Sequence, residues 1–460
     1  MRVFVTTIAL LTIPSLALAT DLELERETLA PDDGWAASGA GTAGGSLATD
    51  DQVYTVTNRR ELIAALNNGV PSSTSPSNPS NTPKIIRVQG TIDFNVDDAN
   101  QPLACADYFR PDPTTGQPFS YEAFAAAFDP NGPWGRVNPT GPQERARVAS
   151  AAAQQARVRI RPGSNTTIVG VGQDATLKGI WMDIRGTANV PDSRTNIIVR
   201  NLSFIDTADC FPQWAPNDGA LGSWNALYDS ISLRDTNNVW VDHNRFEDIE
   251  TADSTLPSRF GVLFQVHDGL LDITNASDLV TVSWNVFRNH DKVMLIGSSD
   301  NAPADVGKLR VTLHHNQFEA LGQRVPRVRF GQVHLYNNYY KICATPGYGY
   351  SWGVGIQSQI YAEENFFLVD TRAIAPARII SRFNGAGIHA GGSLVTVTPR
   401  PRDVDLVAEY NAVNDPDLVP TVSWAPTLFT NLHNAHAVPH RVSLLAGPVA
   451  VGPPVLGCPR

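Results

Sequence analysis

The chain has 460 residues, enough for one large domain or for two or three ordinary ones. Only 17% of the residues are charged, whereas 35 glycines and 33 prolines indicate many turns, a balance that favours a strand-rich protein over a helical bundle. The net charge of -10 argues against a general nucleic-acid binder and against a membrane-surface binder. A polyanionic ligand would therefore need local basic residues or a bound cation.

The first residues have the pattern of a signal peptide. Arg2 precedes an apolar run, which is short and interrupted by Pro14, and the tripeptide ALA ends at Ala19. We predict that residues 1–19 are removed and that residues 20–460 form a single exported domain. No later run is apolar and long enough to span a bilayer, so we expect a soluble, secreted protein.

The four cysteines suit an oxidising compartment, because none of them lies in a CxxC pair. Four cysteines allow three pairings, and the sequence does not choose among them. We favour Cys105–Cys210 and Cys343–Cys458, the second of which would tie the last residues to the body. Free buried thiols are the alternative.

The first regular elements precede residue 100. Asn58 is a good N-cap, Glu61 follows three positions later and Gly69 comes after the last apolar residue, so this stretch predicts a short amphipathic helix. A linker rich in Ser, Pro and Asn follows, and KIIRVQGTIDF is interpreted as the first strand. Residues 105–155 are expected to be irregular to helical.

From about residue 157 one phrase recurs, in which an alternating apolar stretch is followed by Asn and then by an aromatic residue. Its copies are IIVRNLSF, VWVDHNRF, VTVSWNVF, VTLHHNQF, VHLYNNYY and IYAEENFF, with Asn at positions 201, 244, 285, 316, 338 and 365. The last two intervals, 22 and 27 residues, equal roughly one coil of a solenoid with short strands.

Repeated strands without crossover helices predict an all-β parallel β-helix, in which inward side chains pack against the coils above and below. Asparagines stacked at a recurring turn would form an amide ladder that satisfies buried polar groups. The N-terminal helix would cap one end of the solenoid. A β-sandwich is the alternative, but paired hairpin turns are missing.

Acidic and basic residues recur at similar distances before these asparagines. Asp229 and Asp272 precede their asparagines by 15 and 13 residues, Arg324 and Arg329 precede theirs by 14 and 9, and Asp268 lies four residues before Asp272. They could therefore share one face of the solenoid. Clustered carboxylates repel one another and favour a hard cation such as Ca²⁺, which takes oxygen ligands in flexible geometry.

Four segments resemble extracellular pectate lyases of polysaccharide lyase family 1. They are WVDHNRF, HDGLLDI, HDKVMLIGSSD and RVPRVRFGQVHLYNNYY, and the resemblance extends over most of the chain from Thr55 onward. It implies a right-handed parallel β-helix, with long loops on one side, that cleaves polygalacturonate by β-elimination. We expect a monomer that acts on this polysaccharide and binds neither nucleic acid nor membrane.

The resemblance also implies the roles of six residues. The calcium ligands would be Asp229, Asp268 and Asp272. Lys292 and Arg329 would bind the substrate carboxylate, and Arg324 would take the proton from C5. A guanidinium is rarely deprotonated, so we expect Ca²⁺ and Lys292 to lower the pKa of Arg324 and activity to peak at alkaline pH. Lys292 or a calcium-bound hydroxide are the alternative bases.

Other residues near these motifs receive structural interpretations. His243 and Asp242 are expected to form a structural pair, His267 and His290 to shape the site, Trp240 to lie in the core and Arg327 to be a surface charge. Trp214 and Trp352 lie in Gly/Pro-rich loops and are candidates for lining a sugar groove.

Two alternative functions stay open. A pectin lyase acting on methyl-esterified chains would lack the calcium carboxylates, and a non-catalytic wall-binding protein could lose Lys292 or Arg324. This chain keeps all of them, so the sequence favours a calcium-dependent pectate lyase.

Overall fold

The chain winds into a right-handed parallel β-helix, as the sequence predicts. The computed structural model describes residues 24–448 except 77–78, 188–189, 191–192, 343–346, 371–372 and 398–399. Each coil contributes a strand to three parallel sheets, which we call sheets 1, 2 and 3 in the order in which a coil enters them. The predicted signal peptide, residues 1–19, lies outside the described residues.

The strands of each sheet follow one another in chain order, one coil after the next. Sheet 1 contains Val53–Val56, the first parts of Lys84–Asp93 and Thr166–Lys178, and Thr195–Arg200, Asn237–Asp242, Asp278–Ser283, Val311–His314, Gln332–Tyr336, Gln359–Glu363 and Ile388–Gly391. Sheet 2 contains the last parts of the same two long strands, and Ser203–Ile205, Arg245–Glu247, Val286–Lys292, Gln317–Gln323, Tyr339–Ile342, Phe366–Val369, Leu394–Val397 and the antiparallel Arg400–Asp403. Sheet 3 contains Arg159–Ile160, Trp181–Arg185, Ile231–Arg234, Leu271–Thr274, Leu295–Ile296, Arg327–Val328, Trp352–Gly355 and Ile380–Phe383.

The aromatic residue of the recurring phrase explains the packing inside sheet 2. Six rings stack on one another along the solenoid, with neighbouring centroids 4.4 to 5.2 Å apart. They belong to Phe204, Phe246, Phe287, Phe318, Tyr340 and Phe367. All six are buried in the main hydrophobic core, so each phrase supplies one layer of that core.

The asparagine ladder is confirmed for five of the six predicted residues. Each side-chain amide of Asn244, Asn285, Asn316 and Asn338 donates to the Oδ1 of the next ladder asparagine at 3.0 to 3.1 Å, and Asn365 ends the row. The prediction for Asn201 is wrong, because the preceding coil places Leu202, not Asn201, opposite Asn244.

Helices close both ends of the solenoid. Helix Arg59–Leu66 begins at Asn58, whose side chain accepts a hydrogen bond from the main-chain N–H of Glu61, and it buries Leu62, Ile63 and Leu66 in the main core. Helix Leu406–Asn411 buries Leu406, Val407 and Tyr410 in the same core at the other end.

Lys84–Asp93 is the second strand and not the first, because Val53–Val56 pairs with it.

Three long excursions leave the coils at one corner, between sheet 2 and sheet 3. They comprise residues 94–158, 206–230 and 248–270, and they contain helices Tyr121–Phe128 and Pro142–Val158 and the hairpins Gln213–Ala215/Ser223–Asn225 and Ser258–Arg259/Val262–Leu263. The predicted disulfide Cys105–Cys210 is confirmed and joins two of them, whereas Cys343 and Cys458 lie outside the described residues. The long loops therefore lie on one side, beside sheet 3.

The remaining helices lie against the outside of the solenoid or in loops. Helix Val438–Leu445 packs Val438 and Val442 against Val286, Tyr339 and Phe366 of sheet 2. The short 3₁₀-helices are Trp35–Ala37, Asp50–Gln52, Cys105–Tyr108, Asp253–Thr255, Pro303–Asp305, Pro376–Arg378 and Ala435–Ala437. Among the described residues, no helix is long and apolar enough to cross a membrane.

Candidate active site

The outer face of sheet 3 brings the three predicted aspartates together; we call Asp229, Asp268 and Asp272 the aspartate cluster. Side chains alternate along each strand, and Ile231, Leu233, Leu271 and Ile273 point into the main core. Asp272 lies on the opposite face, whereas Asp229 and Asp268 lie in the segments that lead into these two strands.

The alignment of the coils differs from the spacing that the sequence suggested. Asp272 pairs with Ser232 of the preceding coil, not with Asp229. Asp229 instead accepts a hydrogen bond of 2.8 Å from the main-chain N–H of Gly269, next to Asp268. Asp229 lies before its strand, whereas Asp272 lies within the next strand, and the hydrogen bond from Gly269 holds Asp229 beside the segment that carries Asp268.

Gly269 leaves the space that the aspartate cluster borders. A Cβ atom at this position would lie 2.6 Å from Oδ1 of Asp272 and 2.9 Å from Oδ1 of Asp229. Asp272 Oδ1 also accepts a hydrogen bond of 2.8 Å from the main-chain N–H of Leu295, and Ser232 donates its hydroxyl to Asp229. Two carboxylates are therefore fixed beside a space at Gly269 that a larger side chain would fill.

Burial and mutual repulsion make the negative charges of the aspartate cluster costly. Burial raises the pKa of Asp229, and the nearby charge of Asp268 raises it further. Burial and the charges of Asp229 and Asp268 likewise raise the pKa of Asp272. Such a site favours either protonation or a bound cation.

The donors of the aspartate cluster are all carboxylate oxygens, which fit Ca²⁺ better than a softer metal. Among the described residues, no three His, Cys, Asp or Glu side chains are placed to hold a metal ion by themselves. Asp268 is turned partly away, since its Oδ1 lies 3.3 Å from Nζ of Lys292. The cluster therefore suits a hard cation whose shell is completed by ligands from outside the protein.

Two buried histidines hold the segment that carries Asp268. His290 contacts the main-chain carbonyl of Asp268 at 2.9 Å and the carboxylate of Asp248 at 2.6 Å. Although burial opposes its charge, Asp248 raises the pKa of His290 to about 9. His267 hydrogen-bonds the carbonyls of Thr207 and Thr251. Both residues shape the site, as the sequence predicts.

The three arginines of the segment RVPRVR have different environments. Arg324 has a left-handed backbone with φ of 60°, is half-buried, and makes no ion pair among the described residues. Its Nε is buried and has no hydrogen-bond partner. Arg329 is fixed, because its Nε donates to Asp300 at 2.6 Å and its Nη1 donates to the carbonyl of Gly297 at 2.8 Å.

Arg327 is not the free surface charge that the sequence suggests. Its guanidinium carbon lies 3.9 Å from the ring centroid of Phe383, and its side chain is half-buried. Burial and repulsion from Arg329 lower the pKa of Arg327. A cation stacked on an aromatic ring is weakly solvated, so Arg327 adds positive charge beside Arg324.

The two tryptophans that were candidates for a sugar groove are core residues. Trp214 is 1% exposed and packs against Trp224 and Phe260 in the excursions, and Trp352 is fully buried and donates its N–H to Tyr340. Neither can touch a sugar in the groove.

The predictions for Trp240 and for the pair His243 and Asp242 are confirmed. Trp240 is 5% exposed. His243 contacts Asp242 at 2.7 Å, and this pair lies apart from the aspartate cluster.

Sequence reasoning did not identify Asp300, although the quoted segment HDKVMLIGSSD ends on it. Asp300 accepts hydrogen bonds from Arg329 and from Asn384 at 3.0 Å. The bond to Arg329 lowers the pKa of Asp300. The sequence shows that Asp300 is an acidic residue in a polar loop. Its pairing with Arg329, 29 residues later, depends on how the coils align.

Known proteins share both the sequence and the fold of this chain. The sequence profile of the pectate lyase family matches residues 141–411. A pectate lyase of Bacillus subtilis is 39% identical over 433 residues, covering 93% of this chain and 94% of its own. Pectate lyase E of Dickeya dadantii is 34% identical over 83% of this chain and 80% of its own.

Solved structures agree with these sequences. A thermostable pectate lyase, PL 47, superposes with a TM-score of 0.86 at 45% identity and covers 94% of this chain and 100% of its own. A pectate lyase bound to a hexasaccharide superposes with a TM-score of 0.83 at 38% identity and covers 93% of this chain and 99% of its own. The chain therefore belongs to the pectate lyase family and is a polysaccharide lyase.

Proposed function

We propose that this protein is a secreted, calcium-dependent pectate lyase that cleaves α-1,4-polygalacturonate by β-elimination and releases 4,5-unsaturated oligogalacturonides. In this proposal the mature enzyme, residues 20–460, is a monomer with one catalytic domain. The observation that carries the proposal is a buried carboxylate cluster beside Arg324, which forms no ion pair among the described residues and whose charge acts on Asp272. A relative bound to a hexasaccharide supports an oligosaccharide ligand for this groove.

The aspartate cluster would hold Ca²⁺ through Asp229, Asp268 and Asp272. When bound, the cation would supply positive charge to the uronate carboxylate and stabilise the negative charge that develops on it. The space at Gly269 supports this assignment, because two buried carboxylates border it. The carboxylate of a substrate would supply further oxygen ligands.

Lys292 and Arg329 would bind the carboxylate of the reacting uronate. Arg329 is held in place by Asp300 and by the carbonyl of Gly297, which leaves little freedom to its guanidinium. A fixed guanidinium matches the planar carboxylate and loses little entropy on binding. Lys292 reaches Asp268 at 3.3 Å, so it can bridge between the aspartate cluster and a substrate.

Arg324 would take the proton from C5. The electron pair of the C5–H bond would form the C4=C5 double bond as the bond between C4 and the glycosidic oxygen breaks, and the released oxygen would take a proton from water. Among the described residues, Arg324 forms no ion pair, and its charge acts on the carboxylate of Asp272 from beyond ion-pair distance. Arg327 and Arg329 lie within five residues and add positive charge nearby.

The proposal is tested by following the ultraviolet absorbance of the unsaturated product. We expect a rise on polygalacturonate with calcium, loss of the rise with excess chelator, and weaker activity on highly methyl-esterified pectin. Arg324→Lys and Asp272→Asn should each lower kcat at least about 100-fold while circular dichroism stays unchanged. A rate that is indifferent to chelator and higher on esterified pectin would contradict the proposal.

A further inference from the structure

The outer face of sheet 3 continues beyond the aspartate cluster towards the N-terminal coils, where it carries basic residues. Arg161, Arg185 and Arg234, which we call the arginine strip, come from three consecutive coils. All three approach one carboxylate, that of Asp183, with nitrogen–oxygen distances of 3.5, 3.4 and 4.0 Å. Three cations thus share one anion.

Among the described residues, the three guanidinium groups of the arginine strip lie within 4.0 Å of two carboxylates, that of Asp183 and, for Arg234, that of Asp229. Asp183 is fully buried and can neutralise only one of the three guanidinium groups. Burial and repulsion from Arg161 lower the pKa of Arg159, which lies beside the strip. The side chains of Arg161, Arg185 and Arg234 stay 19%, 40% and 22% exposed, so an anion from solvent can reach them.

The nitrogen–oxygen distances to Asp183 are too long for these ion pairs to explain the arginine strip by themselves. Paired charges in protein interiors usually have nitrogen–oxygen distances below 3 Å, and none of these three pairs reaches that distance. Nε of Arg161 is buried and lies 3.5 Å from Oδ2 of Asp183 without a hydrogen bond between them. The exposed parts of the three side chains, not this buried nitrogen, are where further oxygen atoms can bind.

The arginine strip is continuous with the candidate active site. Asp183, Ser232 and Asp272 are aligned across three adjacent strands of sheet 3. Two residues further along these strands, Arg234 is aligned with Arg185. Nη2 of Arg234 lies 3.9 Å from Oδ2 of Asp229. Adjacent strands are about 4.8 Å apart, so the strand before Arg161 lies about 14 Å from the strand of Asp272.

We propose that Arg161, Arg185 and Arg234 bind carboxylates of a polygalacturonate chain at sugars several units away from the cleaved bond. This inference rests on the proposed function, because it takes polygalacturonate as the ligand of the groove. A uronate polymer carries one carboxylate per sugar, and a polymer lying along sheet 3 would pass from the aspartate cluster onto the arginine strip. A short oligomer bound at the cluster would not extend that far.

The test compares long and short substrates in the double variant Arg161→Gln/Arg185→Gln, which leaves Arg234 beside Asp229 in place. We expect KM for long polygalacturonate to rise on the order of tenfold, with kcat unchanged and with unchanged kinetics on trigalacturonate. Arg161→Lys/Arg185→Lys should restore most of the affinity. The rise should shrink at high salt, because exposed charges are screened.

A matched control removes the same charge elsewhere. Arg245→Gln/Arg402→Gln changes two arginines that belong to strands of sheet 2, and it should leave both substrates unaffected. The inference is overturned if KM rises equally in this control, or if KM for the polymer is unchanged in the strip variant. It is also overturned if the strip variant loses as much activity on trigalacturonate as on the polymer. If the double variant does not fold, Arg185→Gln alone gives the same comparison, since Arg185 is the most exposed of the three.

Affinity electrophoresis in polygalacturonate gels with chelator separates this inference from the proposed function. Retardation of the wild-type protein that the strip variant loses supports the arginine strip whether or not the enzyme cleaves the polymer. Equal migration of both proteins overturns the inference, even if the calcium-loaded enzyme is active.

Discussion

The substitution Gly269→Ala tests the geometry of the aspartate cluster with a single methyl group. The added Cβ would lie 2.6 Å from Oδ1 of Asp272 and 2.9 Å from Oδ1 of Asp229. Carbon–oxygen contacts normally begin near about 3.3 Å, so the carboxylate of Asp272 must move by about 0.7 Å and that of Asp229 by about 0.4 Å. The backbone φ of Gly269 is not in the left-handed region, so the effect is confined to the side chains.

A displacement of this size exceeds what a metal site tolerates, because ligand distances usually vary by only about 0.2 Å. We therefore expect Gly269→Ala to lower the calcium affinity by about 10- to 100-fold, the range seen when the support of metal ligands is disturbed. The free energy of unfolding should change by less than about 1 kcal/mol, since alanine also restricts the unfolded chain. The loss should therefore appear in metal binding and not in stability.

Two measurements check this expectation. Isothermal titration with calcium gives the affinity directly, and initial rates on polygalacturonate over a range of free calcium give the same shift in activity. Gly132→Ala is a matched control, because its nearest neighbour would lie at an ordinary 3.4 Å and it belongs to an excursion away from the cluster. A calcium affinity of Gly269→Ala within twofold of wild type would refute the proposed metal site.

Two further predictions follow from the surroundings of the site. Asp300→Asn weakens the ion pair that holds Arg329 and should lower kcat/KM on the order of tenfold. The loss of stability should be small, since the Asp300 side chain is 40% exposed. Steady-state kinetics check this, and an equal effect of Asn301→Ala would contradict it. Burial, followed by the charge of His314, lowers the pKa of His315 to about 2, so the unfolded chain binds a proton below pH about 6.5 that the folded protein does not. The contribution of His315 to stability should therefore fall by about 2 kcal/mol between pH 7 and pH 5. Thermal unfolding should show that the wild-type protein loses about that much more free energy of unfolding than His315→Gln over the same interval.

The recurring phrase predicted the fold because each of its residues has one physical task in every coil. The alternating apolar residues supply a strand, the asparagine supplies a rung of the ladder and the aromatic residue supplies a layer of the ring stack. A local pattern suffices for this, because neighbouring coils repeat the same contacts. Asn201 resembles the other five in sequence, yet its coil is offset by one residue, so that Leu202 takes the position opposite Asn244.

The excursions limited what the sequence could predict about the site. Consecutive ladder residues are 41 residues apart between Asn244 and Asn285 but only 22 between Asn316 and Asn338. Counting back from the ladder placed Asp229 and Asp272 at similar positions, whereas Asp272 aligns with Ser232 and Asp229 lies at the end of an excursion, before its strand begins. Trp214 was misjudged for a related reason, because its loop packs with two other excursions into a second core.

The distribution of charge along sheet 3 explains how an acidic protein can bind an acidic polymer. The aspartate cluster is mostly buried and would be neutralised by a cation, so its negative charge does not face the substrate. The arginine strip lies on one side of the cluster, and Arg324, Arg327 and Arg329 lie on the other. A uronate chain along this face would meet positive charge over its whole length, despite the net charge of -10.

This arrangement couples the binding of cation and polymer. The described residues do not complete a metal shell by themselves, so carboxylate oxygens of the substrate would raise the affinity for calcium. By linkage, calcium must raise the affinity for the polymer by the same factor. Because the arginine strip holds the polymer through charges of its own, its loss should weaken polymer binding with and without calcium and leave calcium affinity in the absence of substrate unchanged. That separation identifies which part of the groove recognises the metal and which part recognises the length of the chain.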